Sequence, residues 1–160
     1  MSAAPKVKAK PATEKASTGR FSAEERAAMK ERAAELKAEG RRASAAEKAA
    51  DDEAAMQAKI AAMPQPDRYL AQRLCSIVAD AAPELLPKLY YGQPGWAKDG
   101  KVIVFFRSGI MDKARYSTLG FSVHAKLDAG SGMWPTSYAL EQLSDTSGKA
   151  ITKLVKKAVS

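Results

Sequence analysis

Trp96-Ala97-Lys98-Asp99-Gly100-Lys101-Val102-Ile103-Val104-Phe105-Phe106-Arg107 is the stretch whose reading decides the fold. Asp99-Gly100 supplies the positive dihedrals of a tight two-residue turn, so Trp96–Lys98 and Lys101–Arg107 read as the arms of a β-hairpin. Side chains alternate across a strand, which puts Val102, Val104 and Phe106 on one face and Ile103 and Phe105 on the other. Both sets are apolar, so this strand is expected at the centre of a sheet and covered on both sides.

Downstream, Arg115–Val123 reads as the next strand, with Leu119, Phe121 and Val123 inward and Ser117 a weaker continuation of that face. Gly130-Ser131-Gly132 is a loop, and Met133–Leu140 supplies a last strand with Trp134, Tyr138 and Leu140 on one side. A C-terminal helix starts near Ser144 and buries Ile151, Leu154, Val155 and Ala158. Lys149, Lys153, Lys156 and Lys157 occupy its other face and complement the helix dipole in its later turns.

Upstream, Asp67 is placed to cap a helix in which Leu70, Leu74, Ile77, Val78 and Ala81 share one face and Cys75 flanks them. Pro83 suits a helix start, so Glu84–Tyr90 is expected to form a helical turn or two ending at Gly92. The order is helix, antiparallel strands, helix. It predicts an α+β fold, a two-layer helix–antiparallel sheet–helix domain over residues 64–160.

Met63-Pro64-Gln65-Pro66 marks its upstream boundary, because each proline biases its predecessor away from the helical region. Residues 20–63 read as an extended charged, Ala-rich helical leader: Ser22 with Glu25 forms a capping-box pattern, repeated at Ser44 and Glu47, with Gly40 as a break or a weak point between them. Glu24, Glu31, Glu35 and Glu39 lie opposite Arg26, Lys30, Lys37 and Arg41, leaving a thin apolar strip of Met29, Ala33 and Leu36. Farther along, Ala49, Met56, Ile60 and Met63 share a face suited to packing on the domain. Residues 1–19, dominated by Lys, Ala, Pro, Ser and Thr and without an aromatic, are expected to be disordered.

A chain of 160 residues suits one compact core plus an appendage. The single cysteine excludes an internal disulfide, and the absence of an apolar signal-type run or a membrane-length apolar stretch points to a cytoplasmic protein. Of the net charge of +8, residues 61–160 hold thirteen basic against eight acidic side chains, while residues 20–60 hold nine of each. The domain itself is basic, which favours anionic partners or serves solubility.

Catalytic patterns are missing. His124 is the sole histidine, which removes His-pair metal sites, and Cys75 lies mid-helix beside apolar residues where a thiol stays protonated. Gly148-Lys149 fails as a phosphate loop because Leu143 and Ala150 stand where glycine and a hydroxyl are needed. Gly130-Ser131-Gly132 fails as a dinucleotide fingerprint at Pro135. Asp51-Asp52-Glu53 is the one dense acidic cluster, and consecutive helical residues point about 100° apart, so it cannot converge on one ion. The chain is therefore expected to be a non-enzymatic binding module. Tyr91, Gln93, Trp96 and Trp134, which flank loops and combine flat surface with hydrogen-bonding groups, are the candidate lining of a partly open ligand or partner site.

Ala82-Pro83-Glu84, Tyr91-Gly92-Gln93-Pro94, then Asp99-Gly100-Lys101-Val102 running into Val104-Phe105-Phe106, together resemble the YdhG-like bacterial domain family. Trp134-Pro135-Thr136-Ser137-Tyr138 and the lysine-rich last helix resemble its actinobacterial branch. The resemblance covers about residues 67–160, with Gln93 where methionine is common. It implies a helix–sheet–helix domain distantly similar to frataxin, and for some relatives a role as an iron chaperone. Iron is thus a cofactor or cargo by resemblance only; no metal-binding residue carries over, and the domain's basic charge disfavours it. The partners expected are an unknown small ligand or protein, with weak nonspecific nucleic acid on the Lys149, Lys153, Lys156, Lys157 face as an alternative, and no membrane.

Overall fold

The computed structural model describes residues 21–160, so the tail expected over 1–19 lies outside the described residues. In order they form α1 (Ala23–Ala61), α2 (Asp67–Ala81), β1 (Leu86–Tyr90), β2 (Gln93–Lys98), β3 (Lys101–Arg107), β4 (Ser117–Phe121), β5 (Ser137–Leu140) and α3 (Asp145–Ala158). The fold is α+β, with three helices and a five-stranded antiparallel sheet among the described residues. Each strand pairs with its neighbour in sequence, in the order β1-β2-β3-β4-β5. No helix among these residues is long and apolar enough to cross a membrane.

The chain divides into two compact units, one ending at Ser44 and the other Ala45–Ser160. In the first, Ser22 Oγ accepts the Glu25 amide hydrogen at 3.1 Å and so caps the helix, as the capping-box spacing anticipates. Arg32 and Glu35 pair at 3.0 Å in the open, and Met29 and Leu36 stay about half exposed, at 49% and 52%. Gly40 does not interrupt α1.

The second unit starts at Ala45, well before the boundary expected at residue 64. Met56, Ile60 and Met63 are at most 1% exposed and belong to the core. A methionine or isoleucine taken fully out of water is worth about 1.5–3 kcal/mol, which is why the apolar stripe at the end of α1 joins the domain. The same core holds Leu70, Leu74 and Val78 of α2 and Ile151 and Val155 of α3. Against them lie Trp96, Val104, Phe106, Leu119 and Phe121 of the sheet.

Four expectations need correction. Leu86–Tyr90 is a strand, not a helical turn, because Tyr91 and Gly92 take positive φ (48° and 76°) and fold β1 back on β2. The same geometry at Asp99 and Gly100 (52° and 79°) closes the hairpin read from the sequence. Second, Trp96 pairs with Val104 but Ala97 with Val102, so Ile103 is an extra residue in β3. This bulge turns Ile103 into the core with Val104 and Phe106, and leaves Val102 beside Gly95 and Tyr90 on the other face. Third, β4 ends at Phe121, and Val123 is 95% exposed. Fourth, β5 is only Ser137–Leu140, with Trp134 half-buried in the loop before it.

Candidate functional site

The helices and the core take one face of the sheet. The pairing register defines what the other face carries: Lys88, Gly95, Phe105, Gly120 and Ser137 lie opposite one another, forming one row across all five strands. The two glycines in that row are there for space. A Cβ at Gly120 would sit 2.2 Å from Phe105 Cζ, and one at Gly95 would sit 2.9 Å from Tyr90 Cβ. Without those side chains the Phe105 ring lies down on the sheet beside Tyr90, their centroids 5.2 Å apart.

Tyr91 extends the cluster, its ring edge-on to Tyr90 at 4.6 Å. It is 82% exposed, while Tyr90 and Phe105 are half-buried. Three contiguous rings therefore sit on a face to which the helical core contributes nothing. The stretch Ala45–Asp52 of α1 reaches only the corner formed by Leu86–Lys88, Ala97 and Gly100.

A polar network holds this cluster in place. Arg107 donates from Nε and Nη2 to both Asp112 carboxylate oxygens, at 2.9 and 2.8 Å. Its Nη1 donates to the Tyr91 carbonyl at 2.9 Å, so the fork fixes the backbone that presents the Tyr91 ring. Gln93 donates to Asp112 Oδ1 at 2.8 Å and accepts the Ser108 amide hydrogen. Ser108 Oγ in turn donates to Asp67 Oδ2, which also accepts the Ile110 amide at 3.1 Å. Hydrogen bonds from Arg107 hold the Asp112 carboxyl below the usual carboxylate range, against a smaller opposing effect of burial.

Asp67 does not cap α2. The residue before it, Pro66, takes the cap position without a side-chain bond, and Asp67 is 4% exposed with its carboxylate on the Ser108–Ile110 turn. A buried carboxylate needs partners of this kind to remain in place.

The four residues expected to line one pocket are dispersed. Tyr91 belongs to the open cluster. Gln93 is 4% exposed and serves the polar network. Trp96 is 2% exposed and faces the helices, because its register partner Val104 is core. Trp134 packs half-buried against the core's edge. Lys149, Lys153, Lys156 and Lys157 are all exposed along α3. From the sequence Phe105 is expected to be covered, yet glycines in the middle of β2 and β4 are the signal that a ring lies over the strand.

Clefts of about 270 Å³ lie beside Asp67, Arg115 and Glu141 and beside Cys75 and Trp96, and one of about 340 Å³ lies beside Lys98, Lys101, His124 and Lys126. Burial pushes the Cys75 thiol up to about 11, so it stays protonated near neutrality. His124 is exposed just beyond β4. Among the described residues no three His, Cys, Asp or Glu side chains gather to hold a metal ion. What the open face offers chemically is stacking surface with a cation at its margin. No family model, no curated protein and no solved structure matches this chain.

Proposed function

We propose that this chain is a non-enzymatic binding module whose ligand packs on the rings of Tyr90, Tyr91 and Phe105 on the open face of the sheet. One observation carries the reading: three touching rings, one of them 82% exposed, stand on a face made flat by glycines. An exposed ring anchored through its own carbonyl loses little freedom when it binds, which is the condition for efficient recognition. The sequence supplies a single histidine, and the Cys75 thiol is held protonated by burial, so the pairing of base and nucleophile that catalysis asks for has no evident candidate among the described residues.

The motif resemblance to YdhG-like domains fits such a role, since most of that family carries no assigned activity. An iron-carrying role is less well supported, because a hard cation asks for gathered carboxylate oxygens and the described residues bring none together.

The test is an amide-resolved NMR titration of the full chain with planar probes (indole and adenosine) and an aliphatic control (cyclohexanol). The planar probes should shift Tyr90, Tyr91, Gly92, Phe105 and Gly120, and the aliphatic control should not. Equal shifts from both kinds of probe, or shifts confined to the clefts or α3, would refute it.

A further inference from the structure

We infer that the ligand of this face is single-stranded nucleic acid, RNA or DNA, an inference that rests on the binding role proposed above and specifies its substrate class. The first reason is shape. A lone small ligand is normally enclosed in a cavity of about 300–1,000 Å³. Tyr90, Tyr91 and Phe105 instead form an open surface of contiguous rings, and the clefts of about 270 to 340 Å³ lie away from it. An open row of rings matches a ligand with successive flat units, and every nucleobase presents a π-face to such a row.

Charge supplies the second reason. The five strands contain Lys88, Lys98, Lys101 and Arg107 and not one acidic residue. Arg107 is committed to Asp112 and the Tyr91 carbonyl, and Lys98 donates to the Val159 carbonyl on the helix side, which leaves Lys88 on the open face for phosphate. Lys88 ends the row that contains Phe105, on the same face as Tyr90 two residues along β1. The other end of that row is Ser137, and Thr118 lies one row away opposite Arg107. Their hydroxyls can donate to or accept from base edges. Cation, rings and hydroxyls thus follow one another across the sheet, in the order of phosphate, base face and base edge.

The experiment is fluorescence anisotropy of the full chain with labelled oligo-U, oligo-A and oligo-dT of about ten nucleotides, a length within known single-strand site sizes. A duplex of the same length is the control. Wild type is compared with Tyr91→Asn, which keeps a residue tolerant of positive φ, and with a variant in which Lys149, Lys153, Lys156 and Lys157 are alanine. Single strands should bind at least about 10-fold tighter than duplex, and Tyr91→Asn should weaken them by roughly 5-fold or more, the loss of about one stacked base. The four-lysine variant should bind like wild type, and oligo-U against oligo-dT shows whether the sugar is read.

Equal binding of duplex and single strand, unaffected by Tyr91→Asn and abolished in the four-lysine variant, would move the interaction to α3 and overturn the inference. No oligonucleotide binding while indole still shifts the Tyr91 and Phe105 amides would overturn it too, leaving the broader binding role intact. Loss of both responses would remove both.

Discussion

Replacing Asp67 with alanine should destabilise the Ala45–Ser160 unit by about 2–4 kcal/mol, from a residue that the sequence presents as an ordinary helix cap. The magnitude follows from what the carboxylate serves. Ser108 is completely buried, and its hydroxyl donates to Asp67 Oδ2; a buried donor left without an acceptor costs about 1–3 kcal/mol. The Ile110 amide loses the same oxygen, but that residue is 49% exposed, so water recovers part of its bond and the added cost is about 1 kcal/mol. Asp67→Asn keeps an oxygen in place and should cost less than about 1.5 kcal/mol. Removing both partners, as Asp67→Ala with Ser108→Ala, deletes donor and acceptor together, so the double variant should be more stable than the sum of the single effects by at least about 1 kcal/mol. Urea unfolding of the full chain followed by far-ultraviolet circular dichroism reads all four states. A single-variant loss under about 0.5 kcal/mol, or strict additivity in the cycle, would refute the role given to this carboxylate.

Met56→Ala should lower stability by about 2–5 kcal/mol while Met29→Ala stays within about 0.5 kcal/mol, because Met56 is fully buried and Met29 is 49% exposed; paired urea melts check both. Gly109→Ala should cost about 2 kcal/mol or more, since the new Cβ would lie 2.6 Å from the Tyr116 carbonyl carbon and oxygen, which are backbone and cannot step aside; a thermal melt measures it. The Asp112 carboxyl is depressed in the folded state, so its pairing contributes stability above the unfolded value near pH ~3.9 and loses it as pH falls through the lower folded value. The urea midpoint gap between wild type and Asp112→Asn should therefore be constant near neutrality and shrink in acid; a gap that widens in acid would contradict the pairing.

The layer order was legible because its signals are local. Asp99-Gly100 is a turn for reasons contained in two residues, and the stripes of α2 and α3 repeat at helical spacing. Tyr91-Gly92 was harder, since a tyrosine at positive φ is uncommon and Pro83 suggested a helix start. The β3 bulge hides wholly in three dimensions: KVIVFFR is apolar on both faces, so nothing in its pattern marks a break, and only its pairing with Ala97 and Trp96 reveals that Ile103 is the extra residue. For the same reason Trp96 and Phe105 exchanged the roles expected of them. Asp67 was visible as an acid before a helix, but its partners Ser108 and Ile110 lie about forty positions away, and no spacing rule connects them. The open face could have been suspected from Gly95 and Gly120, interior strand glycines that ask what lies above them.

The most direct measurement is the amide-shift titration of the full chain with single-stranded oligo-U, because it reports where the ligand sits. The largest shifts are expected at Lys88, Tyr90, Tyr91, Phe105 and Gly120, with α3 unmoved. Shifts confined to Lys149, Lys153, Lys156 and Lys157, or to the core-facing side of the sheet around Trp96, would contradict a binding role for the bare face.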